Sequence, residues 1–169
     1  MRSKIVVGWN ENVDLPEWGI KRLGAKVDTG AQTSALHVEN VEPIGRGRIR
    51  FDVVVHRVKR DRHFPVTARV VRRARVRSSN GHYDVRYFVE TTVRIGSVEK
   101  TIEISLVDRG KMAHRMLLGR SALRGDFVVD VSRRHVLDKP KRKAKQTTKK
   151  KLSSSAPARR PVARAARER

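Results

Sequence analysis

Apolar and polar residues alternate along three segments of the chain, and this two-residue period most restricts the folds that it can adopt. The pattern runs through residues 49–55, 83–90 and 102–106. Successive side chains of a β-strand point to opposite faces of its sheet, so the period is typical of strands with one buried face. The sequence therefore predicts a chain built mainly from strands.

Turn signals divide these segments. Asn80-Gly81 is a strong hairpin signal and lies between two strand-like stretches, which predicts a protruding β-hairpin over residues 74–89. Ile95-Gly96-Ser97 predicts a second turn. Residues 120–123 favour one short helical turn, and residues 127–129 and 135–137 favour short strands. Many short strands with one short helix predict an all-β, closed or nearly closed barrel.

The C-terminal segment has a different composition. Residues 139–169 hold 13 Lys or Arg and one acid, 13 − 1 = +12 of the net +23, with no aromatic residue. Such a segment buries too little apolar surface to offset the entropy of ordering it. We therefore expect one domain over residues 1–138 and a disordered basic tail over residues 139–169.

The charge and the missing residue types limit the functions to consider. A charge of +23 favours polyanions such as RNA, DNA, ribosomes or acidic peptides, although a charge run can equally be a solvated surface. The absence of cysteine excludes disulfides, thiolate zinc sites and cysteine nucleophiles. With no membrane-length apolar stretch and no signal-peptide pattern, we expect a cytoplasmic protein without membrane contact.

The triplet Asp28-Thr29-Gly30 is the first candidate for chemistry. It follows a strand-like segment, as a catalytic acid at a strand end would. A triplet of this type occurs by chance in about one chain in ten of this length, and its aspartate often only caps a turn. A second element, Leu117-Leu118-Gly119-Arg120, follows downstream and raises its weight.

Together these elements resemble the retropepsin-like aspartic proteases. The resemblance is closest to a bacterial group often labelled ATP-dependent zinc proteases and associated with RimK, a ligase that modifies ribosomal proteins. It spans about residues 17–137 and is carried by residues 25–37, 76–82 and 116–123, in that order. It implies a retropepsin-like closed β-barrel with a flap hairpin.

The resemblance also implies roles for individual residues. Asp28 would be one of two aspartates that share a proton and activate water, and a chain with one such triplet would obtain the second from a homodimer partner. Thr29 would brace the paired loops, and Gly30 would let the two backbones approach closely. Substrate would contact Ala31 and the flap residues Ser78, Ser79, Asn80, Gly81 and His82. Leu118, Gly119 and Arg120 would support the site.

Gln32 departs from the family pattern. Retroviral enzymes have at this position an aspartate that pairs with the arginine of the later Gly-Arg, and the bacterial group commonly has a basic residue. The neutral amide of Gln32 cannot form that ion pair, so we expect Arg120 to find a different partner.

The residues give little support for zinc or ATP. None of the six histidines belongs to a His-Glu-x-x-His pair, which leaves only a mixed site of His37 or His82 with acids as an alternative. The Gly-x-x-x-x-Gly-Lys-[Ser/Thr] nucleotide loop is also missing. We therefore predict no metal and no cofactor.

Two functional classes follow. The first is an aspartic endopeptidase that acts as a homodimer on an acidic peptide, such as a glutamate-rich tail of a ribosomal protein. The second is a non-catalytic RNA- or ribosome-binding β-barrel, favoured by the arginines Arg69, Arg72, Arg73, Arg75 and Arg77. In either class the basic tail could contact nucleic acid or ribosomes.

Overall fold

Strands dominate the fold, as the alternating pattern predicts. A computed structural model of the protein describes residues 3–56, 63–77 and 81–138. The elements are β1 (Ile5–Gly8), β2 (Asn10–Leu15), a 3-10 turn (Pro16–Trp18), β3 (Ile20–Val27), β4 (Ser34–Gly45), β5 (Arg48–Val54), β6 (His63–Arg77), β7 (Tyr83–Ile95), β8 (Val98–Val107), β9 (Met116–Leu118), α1 (Arg120–Leu123) and β10 (Phe127–Asp130). The all-β class, the short helix and the turn at Gly96 are confirmed.

The main sheet closes on itself. Its strand order is β2-β3-β9-β4-β5-β6-β7-β8, and two further pairings, β4 with β8 and β2 with β7, join its ends into a barrel-like ring. β1 and β10 form a separate parallel pair. Closure removes most free strand edges, and it gives the alternating side chains one common interior.

The core follows the period of two. On β5 the side chains of Ile49, Phe51 and Val53 are fully buried, whereas those of Arg48 and Arg50, which alternate with them, are exposed. Trp18 packs edge-on against Phe51, with the ring centroids 5.6 Å apart. Burying each such large apolar side chain stabilises the fold by about 1.5–3 kcal/mol.

The predicted hairpin is present and longer than expected. β6 and β7 pair in antiparallel register, from Arg77 opposite Tyr83 back to Val70 opposite Val89. Near the barrel Val89 is buried, whereas Tyr83 at the distal end is 57% exposed. The hairpin therefore protrudes. Gly81 has a φ of +81°, which favours glycine, and Ser78, Ser79 and Asn80 lie outside the described residues.

The prediction of a strand over residues 135–137 is wrong, and the buried Glu11 explains why. Its carboxylate accepts hydrogen bonds from the backbone N–H of Gly8 (2.7 Å), Val136 (2.9 Å) and Leu137 (3.3 Å). In a strand, the N–H groups of Val136 and Leu137 would donate to a neighbouring strand, whereas here they lie in a turn and donate to the Glu11 side chain. The apolar run alone cannot reveal a donor-acceptor match across more than 120 residues.

The described residues belong to one compact unit, Met1–Lys139. The basic tail predicted over residues 139–169 lies outside the described residues. Within the described ranges, no helix is long and apolar enough to cross a membrane.

Replacing Glu11 tests how far the C-terminal turn depends on its carboxylate. Glu11→Ala leaves three backbone donors without their acceptor, so we expect a loss of about 2–4 kcal/mol in the free energy of unfolding. Urea denaturation measures this. Glu42→Ala, which removes an exposed carboxylate from a surface ion pair, should cost less than about 1 kcal/mol. Equal losses in the two variants would contradict the assigned role.

Candidate active site

The Asp28 carboxylate lies at the end of β3 and is held by backbone donors. Oδ1 of Asp28 accepts hydrogen bonds from the N–H of Gly30 (3.0 Å) and of Ala31 (3.2 Å). The Asp28 N–H donates to the carbonyl of Leu118 at 2.9 Å, which continues the parallel pairing of β3 with β9. The side chain is half-buried, and its second oxygen makes no hydrogen bond with the described residues. It is free to accept a proton.

The predicted Gly-Arg element packs directly beneath the Asp-Thr-Gly loop. A Cβ on Gly119 would lie 2.5 Å from the Thr33 carbonyl carbon and 2.9 Å from the Gln32 carbonyl oxygen. Real Cβ atoms do not approach backbone so closely, so only glycine fits without a backbone shift. Its N–H donates to Ser34 Oγ at 3.2 Å. These contacts fix the distance between β9 and the loop.

Arg120 binds the loop through three acceptors. One terminal nitrogen donates to the carbonyls of Thr29 (2.9 Å) and Gly30 (3.0 Å), and the other donates to Oε1 of Gln32 at 3.1 Å. The Arg120 N–H also donates to the Ala31 carbonyl at 2.9 Å. The expected change of partner is found, because Arg120 binds the carbonyls of Thr29 and Gly30. It also contacts the neutral amide of Gln32. These hydrogen bonds from Arg120 to the loop are called the clamp below.

The other predicted site residues are placed as follows. Thr29 is exposed, and its hydroxyl makes no hydrogen bond within the described residues. A Cβ on Gly30 would lie 3.2 Å from Oδ1 of Asp28, a tight contact inside one chain. Gly81 and His82 are exposed at the end of the hairpin. The bracing role of Thr29, the dimer contact of Gly30 and the flap role of residues 78–82 stay predictions.

Arg109 interacts with Asp28, although no sequence motif marks it. Burial lowers the pKa of Arg109, and the nearby charge of Arg86 lowers it further, while the Asp28 carboxylate raises it. Arg109 Nε donates to the His114 carbonyl at 3.2 Å, and its terminal nitrogens make no hydrogen bond with the described residues. Arg86 pairs loosely with Asp84 at 3.4 Å. Arg109 is therefore the positive charge that connects the candidate acid with Arg86.

Arg86 comes from one face of the β6–β7 hairpin. Residues paired across antiparallel strands share a face, so the register defines two sets. The inner face consists of Arg72, Ala74, Val76, Asp84, Arg86 and the buried Phe88, and the outer face consists of Arg73, Arg75, Arg77, Tyr83, Val85 and Tyr87. Arg86 of the inner face lies close enough to Arg109 for its charge to lower the pKa of Arg109.

His37 fixes the backbone that carries Arg109. The imidazole Nδ1 of His37 accepts a hydrogen bond from the backbone N–H of Arg109 at 2.9 Å, and the backbone N–H of His37 donates to the Arg115 carbonyl at 2.7 Å. Burial, followed by the charge of Arg115, lowers the pKa of His37, whereas Asp108 and Glu39 raise it. The neutral imidazole suits an Nδ1 that accepts. His37 is a positioning residue for this loop.

The histidines and acids do not gather into a metal site. In residues 3–56, 63–77 and 81–138, no group of three or more His, Asp or Glu side chains could hold a metal ion. His37 Nε2 lies 3.4 Å from a Glu39 oxygen without forming a hydrogen bond, and His82 is exposed at the hairpin end.

A barrel-like ring that presents one Asp-Thr-Gly loop, held by a Gly-Arg element beneath it, defines a retropepsin-like domain. The chain belongs to the RimB-like family, described as retropepsin-like aspartic endopeptidase RimB, whose sequence model matches residues 6–140. The resemblance drawn from the three motifs is thereby confirmed.

Relatives extend the comparison. A probable alpha-L-glutamate ligase of Parasynechococcus marenigrum (strain WH8102) is 36% identical over 140 residues, which are 81% of this chain and 30% of the relative. A protein of the same name from Shewanella pealeana is 32% identical over 133 residues, 77% of this chain and 29% of the relative. The chain thus spans less than a third of the length of these curated relatives.

A solved structure supports the fold. The crystal structure of a Legionella pneumophila protein of unknown function superposes with a TM-score of 0.68 at 24% identity, covering 80% of this chain and all of that chain. At this identity the likeness establishes the architecture alone.

Replacing Gly119 tests the contact on which the loop depends. Gly119→Ala places a methyl group against the Thr33 carbonyl, so we expect a loss of about 2–4 kcal/mol in unfolding free energy. Gly24→Ala is the matched control, because a Cβ at Gly24 meets nothing within 4 Å. Thermal denaturation compares the two, and a Gly119→Ala variant as stable as Gly24→Ala would contradict the close approach.

Proposed function

We propose that the protein is an aspartic endopeptidase whose active unit is a homodimer. The observation that carries the proposal is the Asp28 carboxylate, which is held by two backbone N–H groups while its second oxygen stays free. The family supports the same chemistry. One chain carries one Asp-Thr-Gly triplet, so a second copy would supply the other carboxylate across a two-fold axis.

In this mechanism the two aspartates share one proton, because like charges a few ångströms apart do not both ionise. The ionised carboxylate takes a proton from water as the water oxygen bonds to the scissile carbonyl carbon. The protonated carboxyl donates its proton to the carbonyl oxygen, which gives a neutral tetrahedral diol. As the C–N bond breaks, the carboxyl that took the water proton donates it to the amine nitrogen, and a hydroxyl of the diol transfers its proton to the other carboxylate. The diol becomes a carboxylic acid, and the dyad again holds one shared proton.

We propose an acidic peptide as the substrate, with a glutamate-rich tail of a ribosomal protein as the specific candidate. The like charges of Arg86 and Arg109 repel each other, Arg109 also interacts with Asp28, and Arg109 forms no hydrogen bond to a carboxylate in the described part of the chain. An anionic side chain of the substrate would relieve this repulsion. The relatives give a second reason. The region that matches this chain is part of larger proteins that are named probable alpha-L-glutamate ligases.

Asp28→Asn tests the catalytic role. The amide keeps the size of the side chain and cannot take a proton from water, so peptidase activity should fall by at least about 100-fold. Asp130→Asn is a matched control, because Oδ1 of Asp130 accepts the Ser132 N–H at 2.9 Å in a similar turn that lies outside the site. We expect it to retain activity. Loss of activity in both variants, or in neither, would contradict the proposal.

Mixing the two proteins tests the dimer separately. After subunit exchange, a heterodimer of wild type and Asp28→Asn holds one ionisable aspartate in its dyad and should be inactive. Activity at constant total protein should then fall with the square of the wild-type fraction. A linear decrease, or an active monomer in sedimentation, would exclude a shared site.

Arg109→Gln tests the preference for acidic substrates. Hydrogen bonds to charged groups contribute about 1.5–3 kcal/mol, so kcat/KM for a glutamate-rich peptide should fall by roughly 10- to 100-fold. The corresponding glutamine peptide should be cleaved equally by wild type and variant. Arg50→Gln, which removes an exposed arginine paired with Glu42, serves as the control. Equal effects on both peptides would reject the acidic preference and leave the endopeptidase proposal standing.

A further inference from the structure

The two faces of the β6–β7 hairpin differ in how their arginines are paired. On the outer face the arginines have no carboxylate partner in the described residues, whereas Arg72 and Arg86 of the inner face pair with Glu103 and Asp84. Arg73, Arg75 and Arg77 alternate along one strand and are exposed. Residues two apart on a strand lie about 7 Å apart, so the face carries a row of evenly spaced positive charges.

Both tyrosines of the chain belong to this face. The guanidinium of Arg75 lies 4.4 Å from the ring centroid of Tyr83, and that of Arg73 lies 5.5 Å from the Tyr87 ring. Tyr83 is 57% exposed and Val85 beside it is 49% exposed. The exposed Tyr83 ring offers a flat surface on which a further planar group can stack, and the guanidinium beside it adds a positive charge.

We propose that the outer face of the hairpin binds single-stranded nucleic acid. The arginine row would contact successive phosphates, and the Tyr83 ring, with its stacked guanidinium, would accept an unpaired base. An acidic protein segment would complement the charges but would have no planar group to stack on the tyrosine rings. The tyrosines therefore favour single-stranded nucleic acid over an acidic protein segment. A duplex buries its bases and is disfavoured for the same reason.

This surface is separate from the proposed catalytic chemistry. The period of two directs Arg86 to the inner face and Arg73, Arg75 and Arg77 to the outer face, so one hairpin could serve substrate and nucleic acid on opposite sides. The arginines that favour a nucleic-acid-binding barrel in the sequence thus divide. Arg72 of the inner face pairs with Glu103, Arg73, Arg75 and Arg77 lie on the outer face, and Arg69 lies opposite Arg48 of β5, before the paired part of the hairpin.

The test measures binding of the full chain to a fluorescent single strand of about twelve nucleotides by anisotropy at several salt concentrations. We compare the triple variant R73Q/R75Q/R77Q with the control triple R22Q/R50Q/R94Q, which removes the same charge from ion-paired exposed arginines. Losing three phosphate contacts should make the slope of log K against log salt shallower by about 2. An equal change in the control triple would overturn the proposal, because any surface charge would then suffice.

A second pair of variants tests stacking without changing the charge. Tyr83→Ala should weaken binding by roughly 5- to 100-fold at an unchanged salt slope, while Tyr83→Phe keeps the ring and should bind like wild type. Equal affinities of the Ala and Phe variants would overturn the base-stacking assignment. Unchanged melting temperatures confirm that each variant is folded.

The choice of probe identifies the partner. RNA and DNA strands of one sequence distinguish contacts to the 2′-hydroxyl, which favour RNA, from contacts to phosphates and bases alone, which treat both equally. Binding of a duplex as tight as that of the single strand would overturn the proposal. So would tighter binding of a poly-glutamate peptide that is lost in R73Q/R75Q/R77Q, because the face would then dock an acidic protein segment.

Discussion

The close approach of Gly119 to the backbone at Gln32 and Thr33 is the contact on which the candidate active site depends. It lets β9 lie directly under the Asp-Thr-Gly loop, and this places Arg120 within reach of three acceptors on that loop. The same packing lets the Asp28 N–H continue the hydrogen-bond ladder between β3 and β9, and this fixes the backbone that carries the Asp28 carboxylate. A larger residue at position 119 would separate the two layers, and every hydrogen bond of the clamp would lengthen with it. Preorganisation of this kind supplies most of what a fixed acid-base pair needs from its scaffold.

Charge around Asp28 is the second constraint. Arg86 and Arg109 approach from different elements, one from the hairpin and one from the loop that His37 holds. The lowered pKa of Arg109 shows that its positive charge is costly where it lies, since burial and a like charge both act against it. A site with such a cost favours ligands that bring negative charge. In the proposed peptidase the positive charges would bear on substrate choice, and the backbone donors to Asp28 would bear on catalysis.

Local patterns in the sequence reveal part of this arrangement. The alternation at residues 49–55, the turn at Gly96 and the Asn80-Gly81 signal each specify structure within a few residues. The first two agree with the observed strand and turn, and the third agrees with the antiparallel pairing of β6 and β7 on either side of it. The Gly-Arg element could be linked to Asp28 only through the family resemblance. Glu11, His37 and Arg109 had no local signal, because their partners lie between 72 and 126 residues away or across the barrel. For the same reason the apolar run at 135–137 suggested a strand where Glu11 instead holds a turn.

The two proposed recognition tasks would fall on the two faces of one hairpin. A long ribbon that leaves the barrel has two accessible faces, and the pleat assigns neighbouring residues to opposite ones. Arg86, opposite Ala74, can therefore act on Arg109 from the inner face, while Arg75, opposite Val85, stacks on Tyr83 on the outer face. Even-numbered residues of the hairpin lie on the inner face and odd-numbered residues on the outer face. Substitutions on one face can therefore occur without altering the other. The arginine-rich strand, which in the sequence reads as a single basic cluster, is in the structure two surfaces with different neighbours.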